Sequence, residues 1–369
     1  MMIKRMPRVL VLNNYPLDEV WEEVRRKEKP DHHLFGINYF ENKGYDVSVV
    51  PYKFSRFLQK TMNLLKRLRF PIPMGDLDQQ WSVFSALNKC DLIYAPCQTQ
   101  CQLLSYFRAL GLIRVPIVCI AHHPLNFGRM QWLRSPFVRM MAGGTDAFPS
   151  LSTRIAQSIN ELVGKTGRSC ALSWGPQESF YETAGLGSGI VCAGRTGRDL
   201  ATFGQAATQA GTPATIICNE SSALPEFKQY GVNVKICVQP DSVYMKYPQL
   251  LDIYAKSRAI AIPMYASGQL CGLTSLVDAL GAGKPVIMTR NPYIDLDIEK
   301  HKIGIWVDAG DVSGWVRAIQ YLETHDDEAI EMGARARGLV NAGFTSKSFA
   351  EQVTDIFARV LDGQTPSLS

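Results

Sequence analysis

Gly272-Leu273-Thr274-Ser275-Leu276-Val277-Asp278-Ala279-Leu280-Gly281-Ala282-Gly283-Lys284-Pro285-Val286 is the stretch that decides the fold. A short apolar run over 260–263 leads into it through a loop, 264–271, that contains Ser267 and Gly268. Gly272 lets the backbone approach a ligand closely, and Thr274 or Ser275 can cap a helix expected over 274–281. The free amides of such a helix start suit an anion of the diphosphate kind. Asp278 follows one turn later, within reach of ribose hydroxyls. Gly283-Lys284-Pro285 then turns the chain into another apolar run at 286–288.

The same alternation extends outward in both directions. In the second half, strand-like runs fall at 190–193, 215–218, 234–237, 260–263, 286–288 and 303–306, with helical segments at 200–210, 225–230, 247–256 and 312–324 between them. In the first half the strand candidates are 9–12, 47–50, 92–94, 117–120 and 147–149. A charged stretch at 17–31 and a helix-like segment at 34–43, ended by Gly44, lie between the first two. Continuously apolar strands separated by helices are the mark of parallel sheets covered on both faces. Two such series in tandem predict an α/β protein of two Rossmann-like, doubly wound domains facing a cleft. The expected domains are 1–168 and 169–345, with a hinge at 164–176 punctuated by Gly167, Gly175 and Pro176. A final amphipathic helix over 346–361, with a tail to 369, is expected to cross back onto the first domain.

A second motif stands at the head of the second series: Ile190-Val191-Cys192-Ala193-Gly194-Arg195-Thr196-Gly197-Arg198-Asp199. In a doubly wound domain this loop opens at the carboxyl end of the first strand, where ligands bind. Gly194 and Gly197 let backbone amides turn toward a phosphate, and Arg195 or Arg198 can neutralise it.

These two segments together resemble the donor-binding domain of GT-B glycosyltransferases, in particular the large retaining family ("glycosyl transferases group 1" type) of bacterial mannosyl- and glucosyltransferases. Gly194-Arg195 matches that family's Gly-Arg loop, and Gly272 through Val286 matches its Gly-Leu-Thr…Glu-Ala…Gly-Lys-Pro-Val segment. The resemblance implies a nucleoside-diphosphate-sugar donor as substrate, with no cofactor. Donor contacts fall to Gly194, Thr196, Gly197, Gln269, Gly272, Leu273, Thr274 and Ser275, with Asp278 on the ribose. The family's two glutamates, about eight residues apart, are absent: Asp278 replaces the second, and Leu270, or Gln269 with a shifted loop, stands at the first. Arg198 substitutes for the family's lysine. In the first half, Ile117-Val118-Cys119-Ile120-Ala121-His122-His123-Pro124 delivers a histidine from the end of a buried-type strand. His122 matches the family's histidine facing the donor sugar, with His123 in reserve, so His122, Arg195 and Arg198 form the expected catalytic set. Asn13, Asn14, Tyr15, His32, His33 and His123 are the candidate acceptor contacts.

Charge is distributed unevenly. Residues 1–170 hold 23 Lys and Arg against 13 Asp and Glu, a balance of +10, leaving 16 against 21 for 171–369. Lys53 to Arg69 carries six basic residues with Phe57, Leu58, Met62, Leu64, Leu65 and Leu68 projected onto one helical face. Phe127 to Met141 mixes Trp132, Leu133 and Phe137 with Arg129, Arg134 and Arg139. Both segments suit an anionic bilayer surface. No nucleic-acid module accompanies the charge. No apolar run is long enough to span a membrane, and the amino-terminal run is too short for a secretory signal. Nine scattered cysteines, an odd number, favour reduced thiols. With no Asp-x-Asp pair either, the expectation is a metal-independent hexosyltransferase, cytoplasmic and peripheral on the inner face of the membrane. Its acceptor would be lipid-linked or a glycan, in cell-envelope polysaccharide or glycolipid synthesis. A non-catalytic nucleotide-sugar-binding protein and a nucleotide-sugar 2-epimerase are the rivals on the same architecture.

Overall fold

The computed structural model describes residues 5–52, 55–67, 72–126, 131–165, 167–242, 245–266 and 268–364. The chain forms two compact units. One comprises residues 1–25, 31–173 and 346–369, the other 26–30 and 174–345.

The first unit is built on a parallel sheet of β1 (Arg8–Val11), β2 (Asp46–Val49), β3 (Leu92–Ala95) and β4 (Ile117–Cys119), ordered β2-β1-β3-β4. Val9 lies in register with Val47 on one side and Leu92 on the other. All four residues of β3 are buried, as an inner parallel strand covered on both faces requires. The run expected at 147–149 is no strand. It joins β4 through the single bridge Val118–Ala147, and Pro149 has no amide to donate to a longer ladder. The segment expected as one helix over 34–43 is broken into the turns Asp31–Leu34 and Glu41–Lys43 around a short helix, Ile37–Phe40. Gly36 causes the break. It sits at φ +86°, and a Cβ there would lie 2.9 Å from the Ala350 Cβ. That contact brings in the final helix, Ser346–Leu361, whose Phe357 ring packs 5.1 Å from both Phe40 and Tyr94.

The second unit carries six parallel strands: β5 (Ile190–Ala193), β6 (Ala214–Asn219), β7 (Val234–Gln239), β8 (Ala259–Ile262), β9 (Val286–Thr289) and β10 (Gly304–Val307). Their order is β10-β9-β8-β5-β6-β7. Alternate residues of β5 feed two cores, Ile190 and Cys192 joining Phe203 and Trp315, Val191 and Ala193 joining Tyr254 and Leu276. The helix expected at 225–230 is a 3-10 segment, Pro225–Gln229. From β5 the chain runs outward to β6 and β7, then returns to place β8 on the other side. The order reverses between β5 and β8, so their carboxyl ends open the crevice where doubly wound sheets bind ligands.

Of the two basic segments, the described portions are the helices Arg56–Arg67 and Gln131–Gly143. Lys53, Phe54, Leu68, Arg69 and residues 127–130 lie outside the described residues. Among the described residues no helix is long and apolar enough to cross a membrane.

Candidate functional site

At that crevice β5 delivers Ala193 into the loop 194–199, and β8 delivers Pro263 and Met264 beside it. The two are zipped together: the Asp199 amide donates to the Pro263 carbonyl at 3.1 Å, and the Tyr265 amide to the Gly197 carbonyl at 3.1 Å. Gly194 adopts φ +144°, and a Cβ there would stand 2.5 Å from the Arg198 guanidinium. Glycine therefore leaves the space that Arg198 fills.

Arg198 is 9% exposed. Its Nη2 donates to the Ser275 Oγ at 2.7 Å, its Nε to the Ala193 carbonyl and its Nη1 to the Thr196 carbonyl, both at 3.4 Å, and Nη1 also meets the Met264 sulfur. Among the described residues these partners are neutral oxygens and a thioether, and none is a carboxylate. The neighbouring Asp199 is engaged elsewhere, its carboxylate accepting from the amide and hydroxyl of Thr202 to cap the helix Leu200–Ala210. A buried cation without a counter-anion is costly, and an anionic ligand would supply the missing charge.

The helix Leu273–Ala282 starts at the same place. Its N-cap is Gly272 at φ +86°, which has no side chain to cap with, and among the described residues no other side chain caps it. This corrects the expectation that Thr274 or Ser275 does so: Thr274 is exposed, and the Ser275 hydroxyl is taken by Arg198. Uncapped amides and a guanidinium thus converge at one helix start. Arg195 and Leu273 are half-buried and Thr196 and Gly197 exposed in the same loops.

Asp278 departs from its expected role. It is 3% exposed, and its carboxylate accepts from the Tyr181 hydroxyl at 2.6 Å instead of standing open to a ribose. The Tyr181 ring lies over Gly281, where a Cβ would come within 2.6 Å of it. Burial pushes the Asp278 carboxyl up to about 7. Leu270, at the position of the family's first glutamate, packs against the apolar core. Gln269 is half-buried, and its carbonyl accepts from the Asn291 Nδ2 at 3.1 Å.

Two residues that hold these loops escaped the sequence reading. The Thr289 hydroxyl accepts from the Met264 amide at 2.9 Å, and the buried Asn291 fastens Gln269 and Cys271. A polar Thr289-Arg290-Asn291 run just past a buried strand was the available signal.

In the first unit, His122 Nε2 lies 2.6 Å from the Pro96 carbonyl, which requires the proton on that nitrogen. Burial lowers its pKa to about 4, so the ring is neutral, and Phe35 stands edge-on at 5.6 Å. The amides of His122 and His123 both donate to the Gln98 Oε1. Asn13 and His32 are interior groups, which corrects their reading as acceptor contacts. Asn14 is exposed, and the Tyr15 hydroxyl donates to the His33 carbonyl. Of the acceptor candidates the structure thus joins Tyr15 to His33 and sets His32 beside His33, with ring centroids 4.4 Å apart.

No family model matches the chain. A D-inositol 3-phosphate glycosyltransferase of Corynebacterium kroppenstedtii is 32% identical over 108 residues, which is 29% of this chain and 23% of that protein. The match therefore spans under a quarter of the curated relative. Among solved structures, Anabaena HepE in complex with UDP and glucose superposes with a TM-score of 0.67 and 16% identity, over 95% of this chain and 99% of HepE. Sucrose-phosphate synthase of Thermosynechococcus elongatus does so with a TM-score of 0.66 and 13% identity, over 98% of this chain and all of that one. With two doubly wound parallel sheets and this end-to-end likeness, the chain has the GT-B fold.

Proposed function

We propose that this chain is a glycosyltransferase that moves a hexose from a nucleoside-diphosphate-sugar to a lipid-linked or glycan acceptor. One observation carries the reading: a buried guanidinium without a carboxylate partner, Arg198, at the uncapped start of the helix Leu273–Ala282. A diphosphate bridging Arg198 and those amides would gain charge-assisted hydrogen bonds in both ground and transition states. As the sugar–oxygen bond breaks, negative charge accumulates on the departing diphosphate, and fixed donors there are the main catalytic contribution. The acceptor oxygen bonds to the anomeric carbon on the face the diphosphate leaves, so configuration is retained, and its proton passes to the leaving phosphate oxygen. Arg195 assists from the loop, and the neutral His122 orients the sugar or acceptor. No metal enters this scheme.

Helix Arg56–Arg67 supports a membrane-bound acceptor. Phe57 is 76% and Leu64 56% exposed on it, among the exposed Arg56, Lys60 and Arg67. This is the composition of an interfacial helix, and it fits a role in envelope polysaccharide or glycolipid synthesis on the cytoplasmic face.

A second reading, binding without transfer, draws on the loss of the first glutamate to Leu270. One experiment separates the two. Purified protein is given UDP-glucose and related nucleotide-sugars with chelator present, and release of UDP is followed. Release abolished in Arg198→Ala supports the proposal. Binding of the nucleotide-sugar with no release, with or without acceptor lipid extracts, would leave the second reading standing.

A further inference from the structure

Among the described residues the second unit buries two carboxylates, Asp199 and Asp278. Asp199 closes the loop 194–199, and Asp278 lies on the helix that starts at Gly272. Both are satisfied from within the chain. The Asp199 Oδ1 accepts from the Thr202 amide at 3.1 Å, and its Oδ2 from the Thr202 hydroxyl at 2.7 Å. The Asp278 Oδ1 accepts from the Tyr181 hydroxyl at 2.6 Å, and the Tyr247 hydroxyl is a second donor to that carboxylate.

Asp278 is also walled in. It stands six residues past Gly272, about 9 Å along the helix axis from the proposed diphosphate site, and Tyr181 beside it is 4% exposed. The wall is braced. Arg337 donates to the carbonyls of Gly281 at 2.8 Å, Glu178 at 3.0 Å and Tyr181 at 3.4 Å. The Phe180 ring lies 5.5 Å from that of Tyr181 and 6.3 Å from that of Tyr247. Turning the carboxylate out toward a ligand would break these contacts together. Burial raises it to about 7, so at neutral pH part of the population carries a proton and accepts more weakly.

A site rejects an analogue that lacks one hydroxyl when the analogue leaves a buried polar group unpaired. For the ribose of a nucleotide that group is ordinarily an acidic side chain on the 2′-hydroxyl. Here neither buried carboxylate is in want of a hydrogen bond. The acidic residues at the carboxyl ends of β6 and β7, Glu220 and Asp241, are exposed, and Asp241 already accepts from the Ser221 amide and hydroxyl. A solvated carboxylate exchanges water for a ribose hydroxyl with little net gain. We infer that the nucleotide site does not select for the ribose 2′-hydroxyl, so that 2′-deoxynucleoside diphosphates and their sugars bind as well as the ribonucleotides. That a nucleotide binds at all rests on the glycosyltransferase reading. Indifference to the 2′-hydroxyl rests on the internal partners of Asp199 and Asp278.

Titration calorimetry on the full chain tests the inference with UDP and 2′-deoxy-UDP, ADP and 2′-deoxy-ADP, and GDP and 2′-deoxy-GDP. The pair whose base binds most tightly decides. Its two members are expected to differ by less than about threefold in Kd, and Asp278→Asn to leave that ratio as it is. A wider gap in the wild-type protein overturns the inference. So does an Asp278→Asn variant that loses affinity for the ribonucleotide alone, which would show the carboxylate turning from Tyr181 to the ribose. Should that variant fail to fold, the wild-type ratio decides by itself. If a ribonucleotide binds and its 2′-deoxy counterpart is rejected, this inference falls alone; if no nucleoside diphosphate binds, the glycosyltransferase reading falls with it.

Discussion

Arg198 makes the most testable statement at the scale of one residue. Its guanidinium is buried against neutral partners, so the free protein carries a cost that an anion would remove. Arg198→Met is expected to leave the melting temperature of the free protein near that of wild type and to weaken UDP binding about 100-fold, roughly 2.7 kcal/mol. Titration calorimetry and thermal shift read the two effects separately. A large loss of stability with intact UDP affinity would make Arg198 a structural residue. Asp278 gives a second prediction, in pH. Burial raises its carboxyl from 3.8 to about 7, so between those values the native state holds a proton that the unfolded chain has lost. Stability from this group is therefore full below about pH 4 and declines as pH rises to about 7. Asp278→Asn should remove that slope. Its stability relative to wild type, from urea melts at pH 4.5 and 8, should improve by a few kcal/mol at the higher pH. An unchanged difference would mean that the carboxylate is ionised throughout, held by the Tyr181 hydroxyl.

At the scale of elements, the Leu273–Ala282 helix and the Tyr181 ring fit only because position 281 is glycine. Gly281→Ala would drive a Cβ to within 2.6 Å of that ring, and the ring cannot retreat without giving up Asp278. A loss of about 1–3 kcal/mol is expected, and it should largely vanish when Tyr181 is also replaced by Leu. Additive losses in that cycle would disprove the steric coupling. This contact also shows where the sequence was legible. All six strands of the second unit were readable within one or two residues, the four inner ones because strands covered on both faces are largely apolar, and the edge strands β7 and β10 from their β-branched residues. The loop 194–199 and Gly272 were readable because glycine most readily accepts the positive φ at positions 194, 197 and 272. The partner of Asp278 was not, since Tyr181 lies 97 residues away in a segment with no periodic pattern. The helix Asp326–Asn341 went unexpected, small and polar residues diluting its apolar stripe, whereas Thr153–Val163 was passed over although Ile155, Ala156 and Ile159 mark a buried face. The buried Gln98 was missed for a related reason: glutamine is ordinarily a surface residue, and nothing local marks one whose oxygen serves a distant amide.

For the whole molecule, charge separates the halves of the chain. Residues 1–170 carry an excess of ten positive charges, and the remainder an excess of five negative ones. An anionic bilayer would attract the first and repel the second, so association should be weak on electrostatics alone and require apolar insertion beside it. Phe57 and Leu64 are placed for that, exposed on a helix with Arg56, Lys60 and Arg67. Each nearby basic residue adds about 1 kcal/mol at an anionic surface, and that part is screened beyond about 8–10 Å at physiological salt. Partial burial of the two apolar side chains contributes roughly 2 kcal/mol, which salt does not screen. The protein should therefore float with vesicles containing 30% phosphatidylglycerol, stay behind with pure phosphatidylcholine, and lose most of its binding between 50 and 500 mM NaCl. Phe57→Ser combined with Leu64→Ser should weaken partitioning roughly thirtyfold at low salt while leaving UDP binding intact, since both residues belong to the first unit and the proposed diphosphate site to the second. Binding that ignores lipid charge and salt would remove the electrostatic part of this account. Binding unaffected by the double substitution would show that the helix Arg56–Arg67 is not the inserted element.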